Sequence, residues 1–135
     1  MSTKRGSFRN LVVWEKSHKL VLKIYEITQD FPKTEQYGII SQLRRAAASV
    51  PTNIVEGYKR TGHKDKIRFY NIAQSSLEET RYLLILSRDL EYLVPEEAFI
   101  LAEEVSKILE AYIQKMNDNR INEPDSEYLI LNSEY

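Results

Sequence analysis

The chain has 135 residues, 42% of them apolar and 29% charged, which is enough for one domain with a sizeable core. It contains no cysteine, which excludes a disulfide scaffold and thiolate metal sites and is typical of the reducing cytoplasm, where we expect the protein. The net charge of −1 hides an asymmetry, because residues 1–68 carry fourteen Lys and Arg against six Asp and Glu, whereas residues 69–135 carry five against fourteen. Two halves of opposite net charge favour self-association of the chain. The basic half also indicates a nucleic-acid partner, though more weakly.

The chain begins with a basic segment and an amphipathic helix. Residues 1–7 predict a flexible tail without the apolar core of a signal peptide, and no later run approaches the ~20 apolar residues of a membrane span. Residues 10–30 predict the first helix, whose apolar stripe is Val13, Ser17, Leu20, Ile24, Ile27 and Phe31. A second stripe beside it consists of Trp14, His18, Val21 and Tyr25. The doubled arc is too wide for one partner helix, so two helices or another subunit must cover it.

The second helix is predicted from residue 35 to residue 59, and it contains the stretch QLRRAAASVPTNIVEG at 42–57. Its apolar positions recur at gaps of three and four residues: Ile40, Leu43, Ala47, Val50 and Ile54. The pattern continues through Pro51, which lacks an N–H and pushes its ring against the carbonyl of Ala47, at a cost of roughly 3 kcal/mol in a plain helix interior. We therefore predict a helix that bends near Pro51.

Two further helices follow a turn marked by Gly57 and Gly62. The third is predicted from residue 63 or 64 to about residue 93, and its main apolar seam is Phe69, Ile72, Ser76, Leu83, Leu86 and Leu90. A second set widens that seam: Tyr70, Ala73, Leu77 and Leu84. The fourth helix is predicted from Pro95, which suits a first helical turn, to about Met116.

Four long amphipathic helices with short connections predict an all-α fold, an up-down-up-down four-helix bundle over residues 8–119. Residues 120–135 predict an acidic C-terminal tail, in which an apolar patch at 128–131 could dock on the body or on a neighbour.

The sequence carries no catalytic or metal-binding motif. His18 and His63 lie on different predicted helices, and neither has a partner at metal-ligand spacing. Phosphate-binding loops with a Walker lysine, the GxGxxG fingerprint and the GxSxG elbow are all missing. We therefore expect a protein that is not an enzyme and uses no metal and no cofactor, with His18 as a half-buried packing residue.

Polar residues on the second and third helices predict a structural network. Glu79 falls inside an apolar seam, where an unpaired carboxylate would cost several kcal/mol, so it needs a cation, and Arg45 is the best candidate. We expect this pair to be mostly buried. The predicted network, which would fix helix register or a subunit contact, consists of Gln42, Arg45, Ser49, Asn53, Glu56 and Glu79.

A second interpretation concerns the basic residues of the same region. Between Arg44 and Arg68 there are seven basic residues and two acidic ones. A cationic face for nucleic-acid phosphate would consist of Arg44, Lys59, Arg60, Lys64, Lys66 and Arg68. A plain solvated helix surface is the alternative for any one of these side chains.

Three segments of the chain resemble a known family. FRNLVVWEKSHKLVLKIY, FPKTEQYGIISQLRRAAASVPTNIVEGYKR and IRFYNIAQSSLEETRYLL are similar to the four-helix-bundle proteins encoded by intervening sequences of bacterial 23S ribosomal RNA genes. The most specific residues are Gln42, Arg45, Ser49, Pro51, Asn53, Ile54, Glu56 and Gly57, together with Phe31, Pro32, Phe69, Ser76 and Glu79. The resemblance covers residues 8–116, with small departures from the family pattern at Val55 and Ser75. The accessory protein of diversity-generating retroelements is similar to the same family.

This resemblance implies a homopentameric, barrel-like assembly with a basic surface, which in the retroelement member serves RNA and a reverse-transcriptase partner. We therefore predict a non-enzymatic oligomeric bundle that binds structured RNA or other nucleic acid through backbone contacts. The alternative is a structural or protein-interaction scaffold, for example a reverse-transcriptase accessory, without direct nucleic-acid binding.

Overall fold

The computed structural model describes residues 7–119, and these residues form four α-helices joined by short turns. The helices are α1 (Val12–Thr28), α2 (Ile39–Lys59), α3 (His63–Asp89) and α4 (Glu96–Asn119). Each helix packs on the next along the chain, and α4 packs back on α1. No β-strand occurs between residues 7 and 119, so the predicted all-α four-helix bundle is confirmed. Two tails were predicted, residues 1–7 and residues 120–135. Apart from Ser7, both lie outside the described residues.

The helix boundaries agree with the predictions to within four residues. α2 begins later than predicted because Lys33–Glu35 form a separate 3-10 turn. α3 ends earlier because Glu91 adopts a φ of 69°, in the left-handed region that cannot continue a helix. α2 continues as helix through Pro51, which is buried, and the bend near this residue stays a prediction.

The core consists of one inward stripe from each helix. α1 contributes its predicted first stripe, in which Val13, Leu20 and Ile24 are fully buried. The core stripe of α3 is Tyr70, Ala73, Leu77 and Leu84, which the sequence pattern placed at the margin. The predicted main seam of α3 contributes to the core only in part, since Leu83 in it is buried whereas Ile72 is 38% exposed. The two stripes are rotated by one residue on the helix, and periodicity alone does not decide between them.

α2 and α3 approach each other closely at Gly57. A Cβ atom at this position would lie 2.7 Å from Cε1 and 2.9 Å from Cδ1 of the Tyr70 ring, and 3.2 Å from the carbonyl oxygen of Lys66. Tyr70 is fully buried, so its ring has little room to move. The glycine therefore fixes the end of α2 against the start of α3, where the basic residues of both helices lie.

The second stripe of α1 is partly exposed in the single chain. Trp14 and His18 stack with ring centroids 5.0 Å apart and an interplanar angle of 8°, and the edge of Phe8 packs on Trp14. His18 packs on Trp14 as expected of a packing residue, but it is exposed rather than half-buried, because the stack lies at the surface. Tyr25, in the same stripe, is 43% exposed.

Glu35 lies at the end of the bundle where α2 begins, opposite the end that holds the turn between α2 and α3. The Ile39 N–H donates to Oε1 of Glu35 at 3.1 Å, and the Tyr92 hydroxyl donates to Oε2 at 2.8 Å. These bonds hold the pKa of Glu35 below its usual value, the backbone N–H having the larger effect, and the carboxylate raises the pKa of Tyr92. Glu35 thus joins the α1–α2 turn to the α3–α4 turn.

Candidate nucleic-acid interface

Four basic side chains gather around the turn between α2 and α3. Lys59 is the last residue of α2, and Arg60 follows it in an extended conformation. Gly62 directly precedes α3. Lys64 and Arg68 lie one turn apart in the first two turns of α3. We call Lys59, Arg60, Lys64 and Arg68 the basic cluster. Lys59, Lys64 and Arg68 are exposed, and the Arg60 side chain is 41% exposed.

Phe69 orders the two arginines of the basic cluster. The guanidinium carbons of Arg60 and Arg68 each lie 4.5 Å from the centroid of the Phe69 ring. Cation–π contacts of this kind restrict long side chains that would otherwise sample many rotamers. The ring is therefore covered by guanidinium groups, which leaves it poorly placed for stacking on a base.

Two carboxylates lie within the basic cluster. Arg60 Nη2 is 3.1 Å from Glu56 Oε1, and Arg68 Nη2 is 3.2 Å from Asp65 Oδ1. Asp65 also faces Arg60, with 3.9 Å between Oδ2 and Nε. All four side chains are at least 41% exposed, and exposed pairs of this kind contribute about 0–1 kcal/mol each. A phosphate group can therefore compete with these carboxylates for the arginines.

Lys66 does not belong to this surface, and its assignment to a phosphate-binding face is wrong. It is only 4% exposed, and its Nζ donates to the carbonyl oxygens of Gly57 at 3.2 Å and Tyr58 at 2.7 Å. The Gly57 carbonyl also accepts from the Arg60 N–H at 3.1 Å, so Lys66 adds a second bond there and ties α3 to the end of α2. Lys66 precedes Tyr70 by four residues on the core stripe of α3, and that spacing was the available sequence signal for its burial.

Arg44 lies far from the basic cluster. Fifteen residues of continuous helix separate it from Lys59, which is about 22 Å along the axis of α2. Its Nε donates to Thr28 Oγ1 at 2.8 Å, its Nη2 donates to the Tyr25 carbonyl at 3.4 Å, and its guanidinium covers the Tyr25 ring at 4.5 Å. The structure thus places Arg44 at the end of α1, where it closes the last turn of that helix.

The predicted partner of Glu79 is confirmed, but its predicted burial is wrong. Arg45 Nη2 lies 3.2 Å from Glu79 Oε2, with the two side chains 64% and 42% exposed. Glu79 lies with Ser76 along the outer edge of the α2–α3 contact, which explains the exposure. The pair is therefore a surface ion pair of about 0–1 kcal/mol in the single chain.

Two more residues of the predicted network, Ser49 and Asn53, continue this edge together with Ser76, which the prediction left out of the network. Ser49 Oγ and Ser76 Oγ share a hydrogen bond of 2.8 Å between the helices, and Asn53 Nδ2 donates to Ser49 O at 2.8 Å and to Ser49 Oγ at 3.0 Å. We call Arg45, Ser49, Asn53, Ser76 and Glu79 the α2–α3 ladder.

Two members of the predicted network lie outside the α2–α3 ladder. Glu56 pairs with Arg60 in the basic cluster, so it joins that surface instead. Gln42 is exposed and makes no hydrogen bond to the ladder within residues 7–119.

The sequence pattern missed an exposed apolar surface on α3. Ile72, Tyr82 and Ile85 are 38%, 58% and 41% exposed, and they flank the α2–α3 ladder along the helix.

Within residues 7–119 no group of three or more His, Cys, Asp or Glu side chains comes together as a metal site. In the same part of the chain, every helix is too short or too polar to cross a membrane.

A family model described as the 23S rRNA-intervening sequence protein matches residues 9–114, which include α1, α2, α3 and most of α4. The chain belongs to this family. The resemblance found in the sequence is thereby confirmed. In this 23S rRNA-intervening sequence protein, five of the residues that carried the resemblance form the α2–α3 ladder.

No curated protein matches this 23S rRNA-intervening sequence protein. Among solved structures, it is similar to a protein of unknown function from the S23 ribosomal protein family of Bacteroides thetaiotaomicron, with a TM-score of 0.69 and 26% sequence identity. The match covers 76% of this chain and 96% of that protein, so the relative consists of little more than the shared bundle.

Proposed function

We propose that this protein is a non-enzymatic, oligomeric bundle of the cytoplasm that binds structured RNA or other nucleic acid through the phosphate backbone. The basic cluster is the contact surface. One observation carries the proposal: two arginines are held over Phe69 beside two exposed lysines at one end of the bundle. Such ordered guanidinium groups match phosphate oxygens in geometry and charge.

The cluster favours backbone contacts over base recognition. Its cationic side chains lie around the turn between α2 and α3, and lysine and arginine side chains are among the main donors to phosphate oxygens in such interfaces. Four cations and two carboxylates leave a modest positive excess, so one cluster binds phosphate weakly. In a cyclic oligomer the cluster is repeated, and weak contacts add through multivalency.

Assembly of several chains, with five as the number that the family resemblance implies, is part of the same proposal. The exposed apolar residues Ile72, Tyr82 and Ile85 on α3 support it, because a second chain would remove them from water. The partly exposed second stripe of α1, including Tyr25, supports it from another face of the bundle.

A second candidate function is a protein-interaction scaffold, for example for a reverse transcriptase, without nucleic-acid binding. The exposed apolar surface of α3 favours it as well, since the same residues suit a partner protein. The two functions differ in what they require of the basic cluster, which a scaffold does not need.

A salt titration separates the two functions. Fluorescence anisotropy of a labelled, structured RNA is measured with the full chain between about 0.05 and 0.3 M monovalent salt. Phosphate binding gives a log K that falls linearly with log salt, by about 0.9 for each neutralised phosphate of a duplex. Absence of binding at about 0.15 M salt would contradict the nucleic-acid proposal and favour the scaffold.

A further inference from the structure

The described chain ends beside the basic cluster. Arg81 Nη1 on α3 donates to Ser106 Oγ on α4 at 3.4 Å, so these two residues lie at one level of the bundle. Arg68 lies thirteen residues before Arg81, and Asn119 lies thirteen residues after Ser106. Both distances are about 20 Å along antiparallel neighbouring helices. The chain therefore leaves the end of α4 at the level of Arg68, which belongs to the basic cluster.

A surface depression lies at this position. It has a volume of ≈ 590 Å³ and is lined by Gly62, Lys64, Asp65, Ile67, Arg68 and Asn71. Lys64 and Arg68 of the basic cluster line it together with the apolar side chain of Ile67. Gly62 has no atom within 4 Å of a Cβ position, so the backbone beside the depression is open to a ligand. Within residues 7–119 no carboxylate forms an ion pair with Lys59 or Lys64.

Residues 120–135 match this surface in charge and in apolar content. They contain one basic residue, Arg120, and four acidic ones, Glu123, Asp125, Glu127 and Glu134. Three of the acidic residues lie four to eight positions after Asn119, within about 13–28 Å of extended chain. Neighbouring helices are only 8–10 Å apart, so these carboxylates can reach the rim of the depression without strain. An isoleucine at position 121 and the apolar run 128–131 flank them.

We infer that residues 120–135 of the same chain bind over the depression and pair their carboxylates with the basic cluster. Exposed ion pairs are individually weak, but a tethered segment acts at an effective concentration on the order of millimolar. The segment then occupies the positions that phosphate would take. Competition with nucleic acid rests on the proposed function above, whereas binding of the segment to the cluster does not.

Carbodiimide cross-linking of the full-length protein tests the binding of the segment directly, because this reagent joins amines to carboxylates that are in contact. The test protein is assembled by refolding an equal mixture of ¹⁵N-labelled and unlabelled chains. Mass spectrometry should find Lys59 or Lys64 joined to Glu123, Asp125 or Glu127 within one isotopic form, and these links should disappear at about 0.5 M salt. Absence of the links, or links only between the two isotopic forms, would overturn the inference.

A matched pair of full-length variants tests the competition. The first carries Glu123→Gln, Asp125→Asn and Glu127→Gln; the second removes three exposed charges of α4 by Glu96→Gln, Glu103→Gln and Glu110→Gln. The first should bind structured RNA about three- to thirtyfold more tightly than the wild type, as expected from the loss of two or three exposed ion pairs. The second should bind within about twofold of the wild type.

The outcomes distinguish the two proposals. Equal affinities for the two variants, together with absent cross-links, would overturn the inference and leave the nucleic-acid proposal intact. Intramolecular cross-links in a protein that binds no RNA would uphold the binding of the segment, and they would overturn both the competition and the proposed function.

Discussion

The contact between Gly57 and Tyr70 predicts that Gly57→Ala destabilises the protein, although alanine is the better helix former. The added Cβ would lie 2.7 Å from the Tyr70 ring, well inside ordinary van der Waals contact, and the ring is fully buried. Overpacking of this kind costs about 1–3 kcal/mol. Replacing glycine within a helix recovers up to about 1 kcal/mol. We expect the free energy of unfolding to fall by about 1–2 kcal/mol, measured by urea denaturation at one fixed protein concentration.

Gly62→Ala is the matched control. Gly62 has a φ of −82°, and its Cβ position has nothing within 4 Å, so we expect a change of no more than about 0.5 kcal/mol. A second test introduces Tyr70→Leu into the Gly57→Ala protein, where it should cost about 1 kcal/mol less than in the wild type because the smaller side chain relieves the overlap. If Gly57→Ala were as stable as the wild type, the close approach of α2 and α3 at this point would be refuted.

Three further predictions follow from other contacts. A double-mutant cycle on Arg45 and Glu79 should give a coupling of about 0.2–1 kcal/mol; a value near 3 kcal/mol would show that assembly buries the pair. The lowered pKa of Glu35 makes the folded state bind its proton less readily than the unfolded chain, so its stabilising effect is complete above the ordinary carboxyl pKa of about 4.3 and is lost as the pH falls below that value. Urea denaturation between pH 3 and 6 should therefore show a weaker pH dependence for Glu35→Gln, and an unchanged dependence would contradict the assignment. Light scattering at micromolar concentration should give an oligomer, most simply of five chains, and a mass of 15.9 kDa would contradict the proposed assembly.

The four helices and the α1 core were predictable because their signals are local. Pro32 ends the first helical pattern, Gly57 and Gly62 mark the second turn, and apolar residues repeat every three or four positions throughout. The end of α3 was not predictable from such signals, since Glu91 supplies the left-handed conformation that a glycine usually marks.

The candidate site was predictable only in part, because it depends on which stripe of α3 faces the core. If α3 is rotated about its axis by one residue, Lys66 changes from exposed to buried. The same rotation moves Glu79 from the core to the edge of the α2–α3 contact. The pairing of Glu79 with Arg45 was nevertheless predicted correctly, because the two residues lie on adjacent helices at the same level along the bundle axis. The contact of Arg60 with the Phe69 ring, which Arg68 also contacts, spans the turn between α2 and α3. Sequence spacing does not predict the distance between two side chains across such a turn.

The central claim is that the basic cluster binds nucleic-acid phosphate, and the triple variant Arg60→Gln, Lys64→Gln and Arg68→Gln tests it most directly. Its matched control removes three exposed charges elsewhere on the bundle, by Lys19→Gln, Lys33→Gln and Lys107→Gln. The measurement is the salt dependence of structured-RNA affinity for both variants and the wild type. The triple variant should bind more weakly, with a salt slope shallower by about two to three units, while the control keeps the wild-type slope. Oligomer size should not change, and the free energy of unfolding should fall by no more than about 1–2 kcal/mol, because the lost ion pairs and cation–π contacts are exposed. RNA affinity and salt slope equal to those of the wild type in the triple variant would contradict the claim.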